Sequence, residues 1–172
     1  MSNTNQTIKT GSILISAPSL EDPYFDKVVI YITDYNDNGA LGFVMNQIFE
    51  RTFNELTEYQ NSKPFPLHEG GPVDKEHLYF IHRVPDAIKG GIPIADEVYM
   101  GGDFKQAVDY LNTEHDAESN LRFFIGYSGW DPNQLEDEIK EGSWLVVEAS
   151  VTTIFQTAEE SLWDVLQRRV NS

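Results

Sequence analysis

The 172-residue sequence contains no cysteine, which excludes disulfides, thiolate nucleophiles, cysteine-ligated zinc and iron–sulfur clusters together. Positive charge is scarce as well: 12 Lys and Arg stand against 28 Asp and Glu, for a formal net charge of -16. Nucleic-acid affinity depends on basic side chains displacing the counterions condensed on phosphates, so direct DNA contact is disfavoured. The adjacent pair Arg168-Arg169 belongs to the last helical stretch, where cations meet the negative end of the helix dipole. Long apolar runs are missing, and none approaches the roughly 20 residues that span a bilayer. The polar start, Met1 to Thr10, lacks the charged-then-apolar pattern of a secretory signal. The expectation is therefore a cytoplasmic protein without membrane attachment, in which residues 1–10 form a flexible leader and residues 11–172 one domain. A hydrophobic content of 40%, with 12% aromatic residues, is enough for a sizeable core.

What is present reads as alternating strands and helices. Ser12 to Ser16 is a short strand, and Lys27 to Thr33 is β-branched and almost continuously apolar, as a strand covered on both faces would be. Asp34 to Gly39 is turn material ending in Asn-Gly, and Ala40 to Val44 returns as the second arm of a hairpin. Thr52 and Glu55 stand at capping-box spacing before a short helix to Tyr59, and His77 to His82 is a further strand. Asp103 caps a helix whose Phe104, Ala107, Val108 and Leu111 share one face. Leu121 to Ile125 predicts a buried strand running into Gly126-Tyr127-Ser128-Gly129-Trp130, a glycine-bracketed aromatic turn. After it, Asp131 is placed to cap a helix, Pro132 to occupy its first turn and Gln134 to reach back. That helix ends at Gly142, Ser143 to Ala149 is a strand, and a last helix from Thr157 buries Leu162, Val165 and Leu166. Hairpin signals among helices predict an α+β domain with a mixed, mostly antiparallel sheet rather than a doubly wound parallel one.

Several short motifs resemble functional ones and fail on inspection. Asp34-Tyr35-Asn36-Asp37-Asn38-Gly39 matches the first half of a calcium-binding EF-hand loop, but Met45 stands where the bidentate glutamate belongs, leaving a hairpin turn. Ser128 lies in a Gly-x-Ser-Gly run whose second glycine comes one residue too early for a nucleophile elbow. Of the four histidines, His68-Glu69 lacks the second histidine of a zincin, and the odd separation of His77 and His82 points them to opposite faces of a strand. No metal and no cofactor is expected. Gly101-Gly102 before the Asp103 helix exposes N–H groups that could hold an anion, but Asp103 fills that place itself.

In combination these pieces resemble the YqgE/AlgH family. The resemblance rests on Leu14 to Leu20 with Asp22 and Phe25, Gly39 to Gly42 with Met45-Asn46, Gly70-Gly71-Pro72-Val73, Gly101-Gly102-Asp103, and Gly126 to Trp130 with Gln134-Leu135-Glu136. The chain departs from the family's usual pattern at Asp26-Lys27, Thr33-Asp34 and Met45. The resemblance implies a bacterial α+β domain whose sheet curls into a partial barrel with flanking helices. It also carries the label of transcriptional regulator, which describes a phenotype rather than a chemistry. The expected function is a non-enzymatic binding or regulatory module acting through an unknown protein or small-molecule partner. Its cleft would be framed by Asn46, Gly71, Gly102, Tyr127, Trp130 and Gln134. The alternative is an enzyme or small-molecule binder using Glu69, Asp103 or Glu136 with His68 or His82, which requires those groups to converge.

Overall fold

The computed structural model describes residues 8–18, 27–147, 151–155 and 161–170. Residues 1–7 of the expected leader, the 22–25 part of the family pattern and the expected start of the last helix at Thr157 lie outside these described residues.

In chain order the elements are β1 (Ile13–Ser16), β2 (Val29–Asn36), β3 (Gly39–Val44), β4 (Ile48–Thr52), β5 (Pro66–Glu69), β6 (Val73–His82), β7 (Ile92–Ala95), β8 (Val98–Met100), α1 (Phe104–Thr113), β9 (Leu121–Trp130), α2 (Gln134–Lys140), β10 (Trp144–Val147), α3 (Val151–Ile154) and α4 (Leu162–Val170). They build one 10-stranded sheet in the order β10-β1-β2-β3-β9-β6-β8-β7, with β5 on β9 and β4 on β5. The β5–β9 ladder is parallel, and the other ladders among the described residues are antiparallel. The architecture is α+β, as expected. The sheet coils back on itself without closing into a barrel: Ala95 of β7 reaches Gly11, where an added Cβ would lie 2.6 Å from the Ala95 Cβ. Among the described residues no ladder joins β7 to β10.

Strand β2 is covered on both faces, as its unbroken apolar run predicts. Val29 and Tyr31 join a core with Ile13, Phe43, Phe124 and Trp163, while Ile30 and Ile32 face a second with Leu14, Trp130, Leu135 and Trp144. A third core, under α1, is aromatic: Phe53, Phe80, Phe104 and Phe123 pack ring against ring. Burying each such side chain contributes on the order of 2–3 kcal/mol. The expected 52–59 helix is a pair of 3-10 turns, Phe53–Glu55 and Thr57–Tyr59, although the capping box forms, with Thr52 N–H donating to Glu55 Oε1 at 2.8 Å. Leu56, extended at ψ 135, separates the two turns, so no continuous helical ladder forms. In α4 it is Trp163 and Leu166 that are fully buried, with Leu162 and Val165 half-buried.

Strand β9 organises the sheet. Its first half pairs with β6 on one side and β5 on the other, and its second half pairs with β3. Gly126 to Trp130, expected as a turn, therefore continues the strand. The glycine signature is real but has another cause: Gly126, at φ +72, lets the strand kink where residues 74–77 of β6 bulge away opposite it.

Candidate functional site

At that kink the Gly70-Gly71 link between β5 and β6 passes directly against β9. A Cβ on Gly70 would sit 2.4 Å from the Gly126 carbonyl oxygen, and one on Gly71 2.1 Å from the Tyr127 carbonyl carbon. The Gly70 N–H donates to the Ile125 carbonyl at 2.9 Å, while its own carbonyl accepts from Val44 N–H at 2.9 Å and from Ser128 Oγ at 3.2 Å. The buried Ser128 hydroxyl is thus committed to the crossing. Expected as a turn residue bonded to its own backbone, Ser128 instead lies in β9 and bonds across the sheet.

Beyond the crossing the end of β9 separates two open clefts. The first, about 370 Å³, is lined by Ser128, Trp130, Gln134, Glu138, Glu141 and Trp144, with Pro72 and Val73 at its border. The second, about 480 Å³, is bounded by the β2–β3 hairpin, including Asp34, and by Tyr127 and Asp131. Val73, Gly129 and Trp130 line both.

The first cleft is built around one carboxylate. The indole N–H groups of Trp130 and Trp144 each donate to Glu138 Oε1 at 2.9 Å, and Gln134 Nε2 donates to Glu138 Oε2 at 3.0 Å. The two indoles meet edge to face, 6.1 Å apart. Gln134 also reaches back as expected, its Oε1 accepting from Asp131 N–H at 2.9 Å. Asp131 does not cap α2, however. Asn133, in the left-handed conformation at φ 69, precedes the helix, which begins beyond Pro132. Strand β9 ends at Trp130, and a turn closed by Gln134 N–H donating to the Asp131 carbonyl at 3.0 Å intervenes before α2 starts. At the other end Gly142 closes α2 at φ +85, its N–H donating to the Ile139 carbonyl and that of Ser143 to Glu138.

Beside the second cleft, Tyr35 donates its hydroxyl to Glu136, and this bond, with a smaller contribution from burial, pushes the phenol up to about 12. Nearby, Tyr79 meets Tyr127 edge to face and donates to Asp74, which also holds His77 Nδ1 at 2.6 Å. The hydrogen bond to Asp74 raises the His77 pKa, and the bonds from Tyr79 and His77 lower that of Asp74.

The six expected cleft residues thus separate. Tyr127, Trp130 and Gln134 line the clefts, and Gly71 packs behind Tyr127 and Ser128. Asn46 ties β2 to β3 instead, accepting from Val29 N–H and donating to the Lys27 carbonyl, both at 2.9 Å. Gly102 belongs to another crossing, where a Cβ would meet the Lys89 carbonyl oxygen at 2.6 Å. The groups of the alternative reading are scattered and separately engaged: Glu69 pairs with Lys75, Asp103 caps α1 through Gln106 N–H, and Glu136 takes the Tyr35 hydroxyl. His82 Nε2 donates to the Gly101 carbonyl at 3.0 Å, and its Nδ1 accepts from Val84 N–H at 3.2 Å. Burial lowers its pKa. His68 is buried with its Nε2 3.0 Å from Arg122 Nη1, an arrangement that requires a neutral imidazole accepting from the guanidinium. Burial and then the Arg122 charge push His68 down to about 4, against an opposing contribution from the Phe123 backbone. Arg122 Nη2 donates to the Phe155 carbonyl at 2.7 Å. Among the described residues no three His, Asp or Glu side chains are grouped to hold a metal, and no helix is long and apolar enough to cross a membrane. Glu138 and Trp144 were missed by the sequence reading. The signal available was the spacing of Gln134 and Glu138, one helical turn apart on the helix that follows Trp130.

The chain is similar along most of its length to bacterial proteins without an assigned activity. The UPF0301 protein of Chlorobium phaeobacteroides is 37% identical over 163 residues, covering 95% of this chain and 87% of that protein. A UPF0301 protein of Cytophaga hutchinsonii is 37% identical over 159 residues, covering 92% and 87%. Among solved structures, the AlgH protein from Pseudomonas aeruginosa superposes with a TM-score of 0.76 at 23% identity, over 100% of this chain and 94% of that one. Protein DIP2367 from Corynebacterium diphtheriae gives a TM-score of 0.75 at 22% identity, over 95% and 88%. At those identities the two structures establish a shared fold and no more. The AlgH-like family model matches residues 13–172, so that, with the relatives above, the chain belongs to the AlgH-like family.

Proposed function

We propose that the protein is a non-enzymatic binding module, and that any regulatory role it has is exerted through a bound partner rather than by contact with DNA. The observation carrying this reading is the first cleft, where a carboxylate is held in place by two indoles and an amide at the open end of the central strand. Fixed polar groups in a concave, partly aromatic site are what recognition requires. The engagement of Ser128, His68, His82 and Asp103 in the fold itself supports binding over turnover. The net charge of -16 sets the molecule against phosphate backbones and is compatible with a cytoplasmic binding partner.

A thermal-shift screen against metabolites, nucleotides and peptides tests the reading, because a compound that binds only the folded state raises the melting temperature. Gly129→Leu is the discriminating variant. Gly129 lines both clefts, and a Cβ there makes ordinary contacts of 3.5 Å or more, so the fold tolerates it while the added side chain obstructs the clefts. A saturable shift lost in Gly129→Leu, whose own melting temperature is unchanged, is the expected result. Binding that persists in that variant places the ligand elsewhere and sinks the proposal.

A further inference from the structure

The two clefts at the end of β9 carry charge of one sign. Glu138 and Glu141 line the first, Asp34 and Asp131 the second, and no Lys, Arg or His lines either. None of these four carboxylates takes part in an ion pair among the described residues. The feature is more than an acidic patch, because the clefts are concave and Glu138 is held in place by three hydrogen bonds, two on Oε1 and one on Oε2. Between the clefts the surface is low: Gly129 has no side chain, and Val73, 39% exposed, offers an apolar contact beside it.

We propose that this paired cleft docks an extended basic segment of a partner protein, whose main chain crosses at Gly129 and whose arginine or lysine side chains enter the clefts on either side. The proposal rests on the binding-module reading and names its ligand class. Alternate side chains of an extended segment point to opposite sides, which matches two cavities divided by a narrow ridge. Oε1 of Glu138 is filled by the two indoles, but Oε2 carries one donor and keeps an acceptor position, so a guanidinium or ammonium N–H meets an already fixed carboxylate there at little further ordering cost. The aliphatic stem of such a side chain covers Val73 while its charged head reaches the acid. The strongly negative molecule as a whole raises the encounter rate of a cationic partner, and it makes that rate sensitive to salt.

The test titrates the full chain with an acetyl-Lys-Arg-Gly-Arg-Lys-amide peptide, reading tryptophan fluorescence and calorimetric heat, with an all-glutamate peptide and spermidine as comparisons. Saturable binding of the basic peptide is expected, weakened at least fivefold between 50 and 500 mM salt, on the order that loss of surface charge attraction implies. Glu138→Gln keeps an oxygen for the two indoles and removes the charge. It and Glu141→Gln should each weaken binding about five- to tenfold, and Asp34→Asn about threefold; melting temperatures should hold in Glu141→Gln and Asp34→Asn, whereas Glu138→Gln sets an amide donor against Gln134 Nε2 and is titrated below its lowered melting temperature. Glu50→Gln and Glu114→Gln, at exposed acids away from the clefts, should leave binding as it is. Equal weakening by those two would reduce the effect to the general field of the protein and overturn the site. Spermidine binding as tightly as the peptide would reassign the clefts to a small polycation, and failure of the peptide to bind would remove the proposal. A neutral or anionic compound that binds and is lost in Gly129→Leu would overturn the basic segment while leaving the binding module standing.

Discussion

The chain crosses itself without room for a side chain at Gly70-Gly71 and again at Gly102, and beside each crossing sits a buried histidine. At the first, three strands meet: Gly70 bonds to β9 and β3, and Gly71 lies against the Tyr127–Ser128 peptide. At the second, Gly102 passes over the 89–91 loop at the start of α1, where Asp103 N–H donates to the Lys89 carbonyl at 2.8 Å and Lys89 N–H to Gln106 Oε1 at 2.8 Å. The dipeptide is the same and the consequence differs. A crossing in the middle of the sheet bends the central strand and leaves clefts on both sides of its end; a crossing at the margin seats a helix and satisfies its own polar groups locally. Close approach is therefore not by itself a sign of a site, and what matters is whether the elements around it diverge.

That comparison is broken most directly by adding a methyl group at each crossing. Gly71→Ala forces a Cβ against backbone atoms at 2.1, 2.2 and 2.4 Å, with a strand on each side unable to yield. A loss of about 3 kcal/mol or more in urea unfolding is expected, at the upper end of what overpacking costs. A loss below about 1 kcal/mol would show that the central crossing is pliable, contrary to the argument above.

The histidines sharpen the comparison through pH. His68, on the approach to the first crossing, has its pKa pushed from 6.5 down to about 4, and His82 at the second is lowered as well. A histidine whose folded pKa is depressed stays neutral in the native state while the unfolded chain takes up the proton. Its stabilising contribution is then complete above about pH 6.5 and is lost as pH falls from there toward 4. Between pH 7 and pH 5, His68 alone should lower the unfolding free energy by about 2 kcal/mol. Urea titrations at the two pH values measure this. A His68→Asn variant should flatten most of the dependence and leave the smaller share of His82, whereas an unchanged slope in that variant would assign the pH sensitivity to other groups.

Gly102→Ala is expected to cost less than Gly71→Ala, about 1.5 kcal/mol, although its φ of +121 is also unfavourable for a side chain. The clashing Lys89 carbonyl sits on an exposed loop that can shift. If the two alanine variants proved equally destabilising, the distinction between centre and margin would fail.

The sequence made local chemistry legible and long-range chemistry much less so. The β2–β3 hairpin, the Asp103 cap of α1 and the Gly142 stop of α2 were readable because each is decided by residues within a few positions of one another. The parallel β5–β9 pairing and strands β4 and β7 were not, since short strands with exposed residues such as Ile48 and Ile92 carry no clear alternation. Gly126 to Trp130 read as a turn because glycine, tyrosine and serine clustered there. It is strand because residues 128–130 pair with β3, distant in sequence, while Gly126 leaves room for the Gly71 carbonyl. The site shows the same division. Tyr127, Trp130 and Gln134, expected from aromatic and glycine density, line the clefts, whereas Glu138, Trp144, Val73 and Asp34 join them only once α2, β10, the β6 bulge and the hairpin are folded together.

Gly129 supplies the smallest expected effect and the clearest contrast with both crossings. An added Cβ would make only ordinary contacts, 3.5 and 3.9 Å from the Tyr127 ring and 4.0 Å from the Ala40 carbonyl oxygen. Gly129→Ala should therefore change stability by no more than about 0.5 kcal/mol, and replacing glycine within a strand can even be favourable through reduced freedom of the unfolded chain. Its effect should be seen in binding, because the methyl group rises on the low ridge between the clefts. Calorimetric titration of Gly129→Ala with the basic peptide should show a two- to threefold weaker affinity at an unchanged melting temperature. A variant that lost stability instead would make Gly129 a third member of the fold's glycine scaffold, and the ridge would then owe its shape to packing rather than to what lies across it.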